Sequence, residues 1–214
     1  MELTAEQIIY EQMCKDMFVG KTIRAVIYGE VKYDVDDDGN NITPQPSYKT
    51  KYPDIDSLDH SIYFTTEDSS IYIFWDNTFV CYGLQSKQID LTEETNNYEQ
   101  RWDVSAENKW IDFIGQKIIS FNIHWNGRDE ASKTYPQTFE INTENGKSIF
   151  VTASELKEGE DEYYSQMDNI LVTTNAALLK HLEEIELRNV EKVHYKNSIW
   201  AKIFGKKNFD ISKQ

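Results

Sequence analysis

Three short patterns occur twice along this chain, in the same order. Phe18-Val19-Gly20-Lys21-Thr22-Ile23 returns as Phe113-Ile114-Gly115-Gln116-Lys117-Ile118, and each opens an alternating apolar segment. Tyr52-Pro53 returns as Tyr135-Pro136. The run from Phe64 to Ile73, with Thr65-Thr66-Glu67-Asp68 at its turn, returns from Ile141 to Val151, with Asn142-Thr143-Glu144-Asn145-Gly146 at the turn. The offset falls from 95 to 83 to about 77 residues, as a longer loop after Tyr33 in the first copy would produce. The order and spacing predict an internal duplication. The competing reading is that any two small antiparallel meanders share turn chemistry.

Local signals fill in each half. Thr4 stands three residues before Gln7 as a capping box, which predicts a helix from about Ala5 to Met17 with Ile8, Ile9, Met13 and Met17 facing the core. Ile23 to Tyr33 alternates and is rich in β-branched and aromatic residues, so it reads as a strand. An acidic loop over about Asp34 to Asp59 follows, then short strands at His60 to Thr66, Ser70 to Trp75 and Thr78 to Gly83, with a polar linker over about Gln85 to Asn97. In the second half, Trp102, Ala106, Trp110 and Phe113 recur at helical spacing before the next strand. Asn145-Gly146 predicts a type I′ hairpin. Asn169 to Thr173 reads as a strand, and Asn175 caps a helix through about Arg188 with Leu178, Leu182 and Ile185 as its stripe.

Composition narrows the class. Of 214 residues 39% are apolar and 13% aromatic, with nine glycines and four prolines, which is too bulky a composition for a disordered acidic chain. The formal charge of −15 argues against a general nucleic-acid binder, which needs clustered Lys and Arg on phosphates. The charge is uneven. Residues 191–214 hold six lysines against Glu191 and Asp210, together with Tyr195, Trp200, Phe204 and Phe209. Residues 1–190 carry 16 basic and 35 acidic side chains, a net of −19. A basic aromatic tail packed on an anionic body is the expectation. Met1 to Phe18 lacks a basic n-region and apolar core, and no run of about 18 apolar residues occurs, so a cytoplasmic location without membrane association is expected.

Motifs that carry chemistry are few. Asp34-Val35-Asp36-Asp37-Asp38-Gly39 opens like a calcium-binding loop, but Gln45 takes the twelfth position where a bidentate Glu belongs, and a solvated acidic turn is the favoured reading. Cys14 and Cys81 sit in apolar company without CxxC spacing, as buried free thiols do. His60, His124, His181 and His194 form no zinc spacing. Alternation puts His124 on the face opposite Ile123 and Trp125, at the surface. There is no nucleophile elbow, phosphate loop or dinucleotide fingerprint. With 37 carboxylates, any acid and base pair would be an arbitrary choice.

One resemblance is carried by Trp110-Ile111-Asp112-Phe113-Ile114-Gly115-Gln116-Lys117-Ile118, His124-Trp125, Tyr135-Pro136-Gln137 and Thr143-Glu144-Asn145-Gly146-Lys147. This arrangement resembles small acidic α+β bacterial proteins, among them immunity proteins encoded beside polymorphic toxins. It covers about 65 residues of the second half, with a fainter copy in the first. It implies a cytoplasmic protein that binds and neutralises a toxin domain, with no catalytic residue to carry over.

The expected fold is therefore α+β in two related halves, each a helix followed by an antiparallel meander, with a C-terminal helix. The divisions are 1–90, 91–190 and a basic aromatic tail at 191–214. The expected function is a non-catalytic acidic binding protein of immunity type, a monomer or homodimer, with a basic protein partner. It has no assigned catalytic, cofactor or metal residues. Two other readings stand beside it. One is an enzyme or small-ligand-binding protein with a site between the halves, around Trp75, Trp125 and nearby carboxylates. The other is a scaffold dimerising through exposed strand edges.

Overall fold

The computed structural model describes residues 2–33, 43–79, 82–90, 98–126, 134–157, 162–177 and 179–180. Helix α1 (Ala5–Phe18) leads into strands β1 (Ala25–Val31), β2 (Ile55–Leu58), β3 (Ser61–Thr65), β4 (Ser70–Asp76) and β5 (Gly83–Ile89). Then come β6 (Glu99–Asp103), a one-turn helix α2 (Asn108–Ile111), β7 (Ile118–Asn126), β8 (Tyr135–Thr143), β9 (Ser148–Lys157) and β10 (Glu162–Thr173). Helix and antiparallel sheet are both present, as an α+β chain requires.

Two five-stranded sheets form, in the orders β5-β4-β3-β1-β6 and β2-β10-β9-β8-β7, with every pairing antiparallel. The second contains the four-stranded meander β7 to β10, while in the first the run β1-β3-β4-β5 is interrupted in sequence by β2, which pairs in the other sheet. Strand β6 joins the first sheet beside β1, with Tyr28 opposite Trp102. Strand β2 joins the second beside β10, with Leu58 opposite Ile170.

Period-2 alternation decides what each strand buries. Val26, Tyr28, Ile62, Phe64, Ile71 and Ile73 of the first sheet share one core with Phe121, Phe139, Ile141, Ile149, Val151, Ile170 and Val172 of the second. Leu171, Leu156 and Tyr163 point the other way and form a smaller cluster with Ile55 and Tyr52.

The chain just before β1 and just before β7 meets along a short reciprocal seam. Gly20 N–H donates to Ile118 O (2.8 Å) and Gly115 N–H to Ile23 O (2.7 Å), while Ile23 N–H donates to Gln116 O and Ile118 N–H to Lys21 O. Thr22 N–H reaches Glu67 Oε2 (3.2 Å), and Lys117 N–H reaches Glu144 Oε1 (3.1 Å). Both glycines need the left-handed backbone, with φ of 91° and 84°.

Several expectations need correction. The stretch read as acidic loop holds β2, whose four residues are too few to show a period. The fifth strand begins at Gly83 and runs through residues assigned to a linker, because Gln85 and Lys87 are polar positions on a strand whose Leu84 and Ser86 face the core side. Residues read at helical spacing from Trp102 split instead. Glu99–Asp103 pairs with β1, and only one helical turn at Asn108–Ile111 remains, burying Trp110. The β8–β9 turn is not type I′: only Gly146 has positive φ (79°), and Gly146 N–H and Lys147 O both bond Thr143, the pattern of a β-turn followed by a left-handed glycine. After β10, Leu179 N–H bonds Asn175 O (3.1 Å). The remainder of the expected helix to Arg188, the tail at 191–214, the Asp34–Gly39 loop, Cys81, His181 and His194 lie outside the described residues.

Candidate functional site

Helix α1 is built as the sequence indicates at its start. Thr4 Oγ1 accepts from Gln7 N–H (3.2 Å) and Thr4 N–H donates to Gln7 Oε1 (2.8 Å), closing the capping box. Its rotation about its axis differs from the expected one. Gln7, Tyr10, Cys14 and Phe18 are buried, while Ile8 is 56% exposed, Ile9 69% and Met13 45%.

The seat of the helix explains the rotation. Phe18 stacks on Phe121 at 4.5 Å, Cys14 Sγ lies 3.3 Å from Ser86 Oγ, Tyr10 O–H donates to Leu84 O (3.0 Å), and Gln7 Nε2 donates to Thr134 Oγ1. Three of these four contacts end in a polar atom, so a face with polar tips fits where Ile8, Ile9 and Met13 would set only carbon against a carbonyl and two hydroxyls. Burial pushes the Tyr10 phenol and the Cys14 thiol above their ordinary values, so both stay neutral. The outward face is consequently an apolar stripe bordered by exposed Glu2, Glu6 and Asp16. Lys15 is tied to Glu11 at 3.6 Å.

The tryptophans of the cleft reading have separate settings. Trp125 packs against Tyr10 and Phe79 and donates Nε1–H to Glu11 Oε1 (2.9 Å). Trp75 lies edge-on to Tyr82, and its buried Nε1 has no acceptor among the described residues. Neither lines the cavity beside α2 or the smaller one beside Glu30. His124 is exposed, as alternation indicates, with Nε2 2.8 Å from Glu140 Oε2. Burial raises the Glu140 carboxyl, but bonds from His124 and Asn142 outweigh it and leave the group below its usual value. His60 Nε2 stands 3.9 Å from Glu99 Oε1.

Buried charges, invisible in the sequence, form two knots. In the first, Asp56 on β2 accepts from Tyr28 O–H (2.7 Å), which accepts from Trp110 Nε1–H (2.9 Å). Lys109 Nζ stands 2.8 Å from Asp56 Oδ2, out of hydrogen-bonding alignment. Lys49 pairs with Glu107, which also accepts from Tyr48 O–H (2.8 Å). In the second, on the outer face of the first sheet, Glu99 accepts from Ser61 Oγ, Tyr63 O–H (2.6 Å) and Arg101 Nε (3.0 Å).

A cavity of about 670 Å³ opens beside the first knot, between the α2 region, the β8–β9 turn and the segment after β10. Two of its charged lining residues, Lys147 and Asp112, pair with each other, and Asp54 Oδ2 accepts from the neutral amide of Asn175 (3.0 Å). Burial lowers the Lys109 amine against the pull of Asp56, yet Nζ has essentially no exposed surface, so a molecule in the cavity does not reach it. Among the described residues no group of three or more His, Cys, Asp and Glu is placed to hold a metal ion. No helix among them is long and apolar enough to cross a membrane.

No protein-family model, curated protein or solved structure matches this chain.

Proposed function

We propose that the chain is a non-catalytic binding protein that docks a basic protein partner on the outer face of α1, in the manner of a cytoplasmic immunity protein holding a toxin domain. The observation that carries the reading is the rotation of α1, which turns Ile8, Ile9 and Met13 to solvent within a border of Glu2, Glu6 and Asp16. An apolar stripe on a helix supplies anchors for a groove, and an acidic rim steers and selects a cationic partner. The body charge of −19 favours the same partner at longer range. At the larger cavity both lysines on the wall are held by carboxylates, Lys109 by Asp56 and Lys147 by Asp112, which gives a catalytic reading there no support.

The reciprocal seam supports a finer proposal, that the two meanders descend from one duplicated unit. Adding 95 to the donor and subtracting it from the acceptor turns the Gly20 to Ile118 bond into the Gly115 to Ile23 bond. The C-terminal helix and the docked basic tail belong to the same proposal.

The test is co-expression with the product of the adjacent gene, followed by purification and a growth assay. A salt-sensitive complex that rescues growth and is lost in Ile9→Glu supports the reading. A neighbour that is neither toxic nor co-purified overturns it.

A further inference from the structure

Glu30, near the end of β1, is 4% exposed, and among the described residues it is the remaining buried carboxylate outside both knots. Ser47 N–H reaches Oε1 (3.2 Å) and Oε2 (3.1 Å), and Ser47 Oγ–H donates to Oε1 (2.5 Å). Among the described residues no lysine, arginine or histidine pairs with it, unlike Asp56 and Glu99. A carboxylate so far from water ordinarily has a cation beside it, because neutral donors offset only part of its lost hydration.

Against Glu30 lies a cavity of about 140 Å³, walled also by Ser47, Gln100, Trp102, Tyr33 and Gln45. The register explains the grouping. Glu30 is opposite Gln100 and Tyr28 is opposite Trp102, so Glu30 and Trp102 are diagonal neighbours on one sheet face. Carboxylate and indole on the same wall form the pair that recognises an organic cation, one by charge and the other by its ring face. The volume sits below the roughly 300 Å³ at which drug-sized ligands begin, so it admits a head group and not a nucleotide or oligosaccharide.

We infer that the Glu30–Trp102 cavity is a binding site for a primary ammonium or guanidinium group on a short alkyl chain. The group is that of a lysine or arginine side chain on a protein, or of a free alkylamine. The site is separate from the outer face of α1, so the two proposals fail independently. No bond is made or broken: the cation places its N–H donors on Glu30 and its alkyl hydrogens on the indole.

The test follows the Trp102 indole resonance by NMR in the full chain, titrated with propylammonium, propylguanidinium and, as the neutral isostere, propanol. The expected result is a saturable shift with millimolar affinity for the cations and none for propanol. Glu30→Gln, which keeps one acceptor oxygen for Ser47, should weaken cation binding at least tenfold while its thermal melt stays cooperative. An acetylated, amidated Ala-Lys-Ala peptide separates the sources: tighter binding than propylammonium marks a protein side chain, and equal or weaker binding marks a free amine. No saturable shift with either cation, an equal shift with propanol, or unchanged binding in a folded Glu30→Gln protein overturns the inference. The propanol contrast needs no variant, so the decision does not depend on that variant folding.

Discussion

The Glu99 carboxylate crosses the sheet through the space that a side chain at Gly29 would fill. A Cβ at Gly29 would stand 2.0 Å from Glu99 Oε1 and 2.1 Å from Ser61 Oγ. The glycine is there for room, since its φ is not in the left-handed region. Gly29→Ala must displace Glu99 from Ser61, Tyr63 and Arg101 and leave a buried charge poorly paired. The expected loss is about 3 kcal/mol, read as a fall in the urea midpoint at unchanged slope.

Asp56 and Lys109 respond differently to single and double replacement. Lys109→Met leaves Asp56 buried with only Tyr28 O–H and a distant Lys49, and should cost about 3–5 kcal/mol. Adding Asp56→Asn removes the stranded charge, so the double variant should recover part of that loss. A chemical denaturation cycle measures the coupling, and strictly additive losses would show that the two do not act as a pair.

Helix α1 offers a contrast between its two faces. Phe18→Ala removes a ring stacked on Phe121 and should cost about 3–5 kcal/mol. Ile9→Glu changes an exposed position and should stay within about 0.5 kcal/mol of the parent while weakening partner binding. Melting curves of the two variants distinguish the observed rotation from the one that buries Ile8, Ile9 and Met13.

The seam glycines should behave alike. Neither Gly20 nor Gly115 has an atom within 4 Å of a built Cβ, so alanine at either meets only the left-handed backbone penalty. About 1–2 kcal/mol is expected at each, measured by thermal unfolding.

Alkaline pH tests the outer face of the first sheet. Burial, with the nearby Glu99 charge, pushes the Tyr72 phenol up to about 12 from its ordinary 10, and burial with the Glu99 bond raises Tyr63 further. Below pH 10 both phenols keep their protons whether folded or unfolded, and their contribution is fully present. Above it the unfolded chain releases protons that the folded chain holds, so stability falls as pH rises, through about 12 for Tyr72. The urea midpoint should drop across pH 10–12, and Tyr72→Phe should make the drop shallower.

Much of the fold is legible in the sequence where one side chain decides one element. The Thr4 and Gln7 capping box, the left-handed position at Gly146 and the outward turn of His124 all follow from local chemistry. Legibility stops where a partner distant in sequence decides. Ile8, Ile9 and Met13 make the better apolar stripe, yet Leu84, Ser86 and Thr134 select the stripe with polar tips. Ile55 to Leu58 becomes a strand because Ile170 to Thr173 lies beside it. The buried charges were hidden for the same reason: Asp56 and Lys109 read as two ordinary polar residues until β2 and α2 bring them together.

The placement of β2 sets a timetable for synthesis. Ile55 to Leu58 leaves the ribosome more than a hundred residues ahead of Ile170 to Thr173, the segment it hydrogen-bonds. Until those residues emerge, β2 has no neighbouring strand to finish its sheet, and the growing chain carries open backbone donors and acceptors. Completion of the second sheet therefore waits for Ile170 to Thr173 to be made, and a chain stopped short of Ile170 lacks the strand that β2 requires.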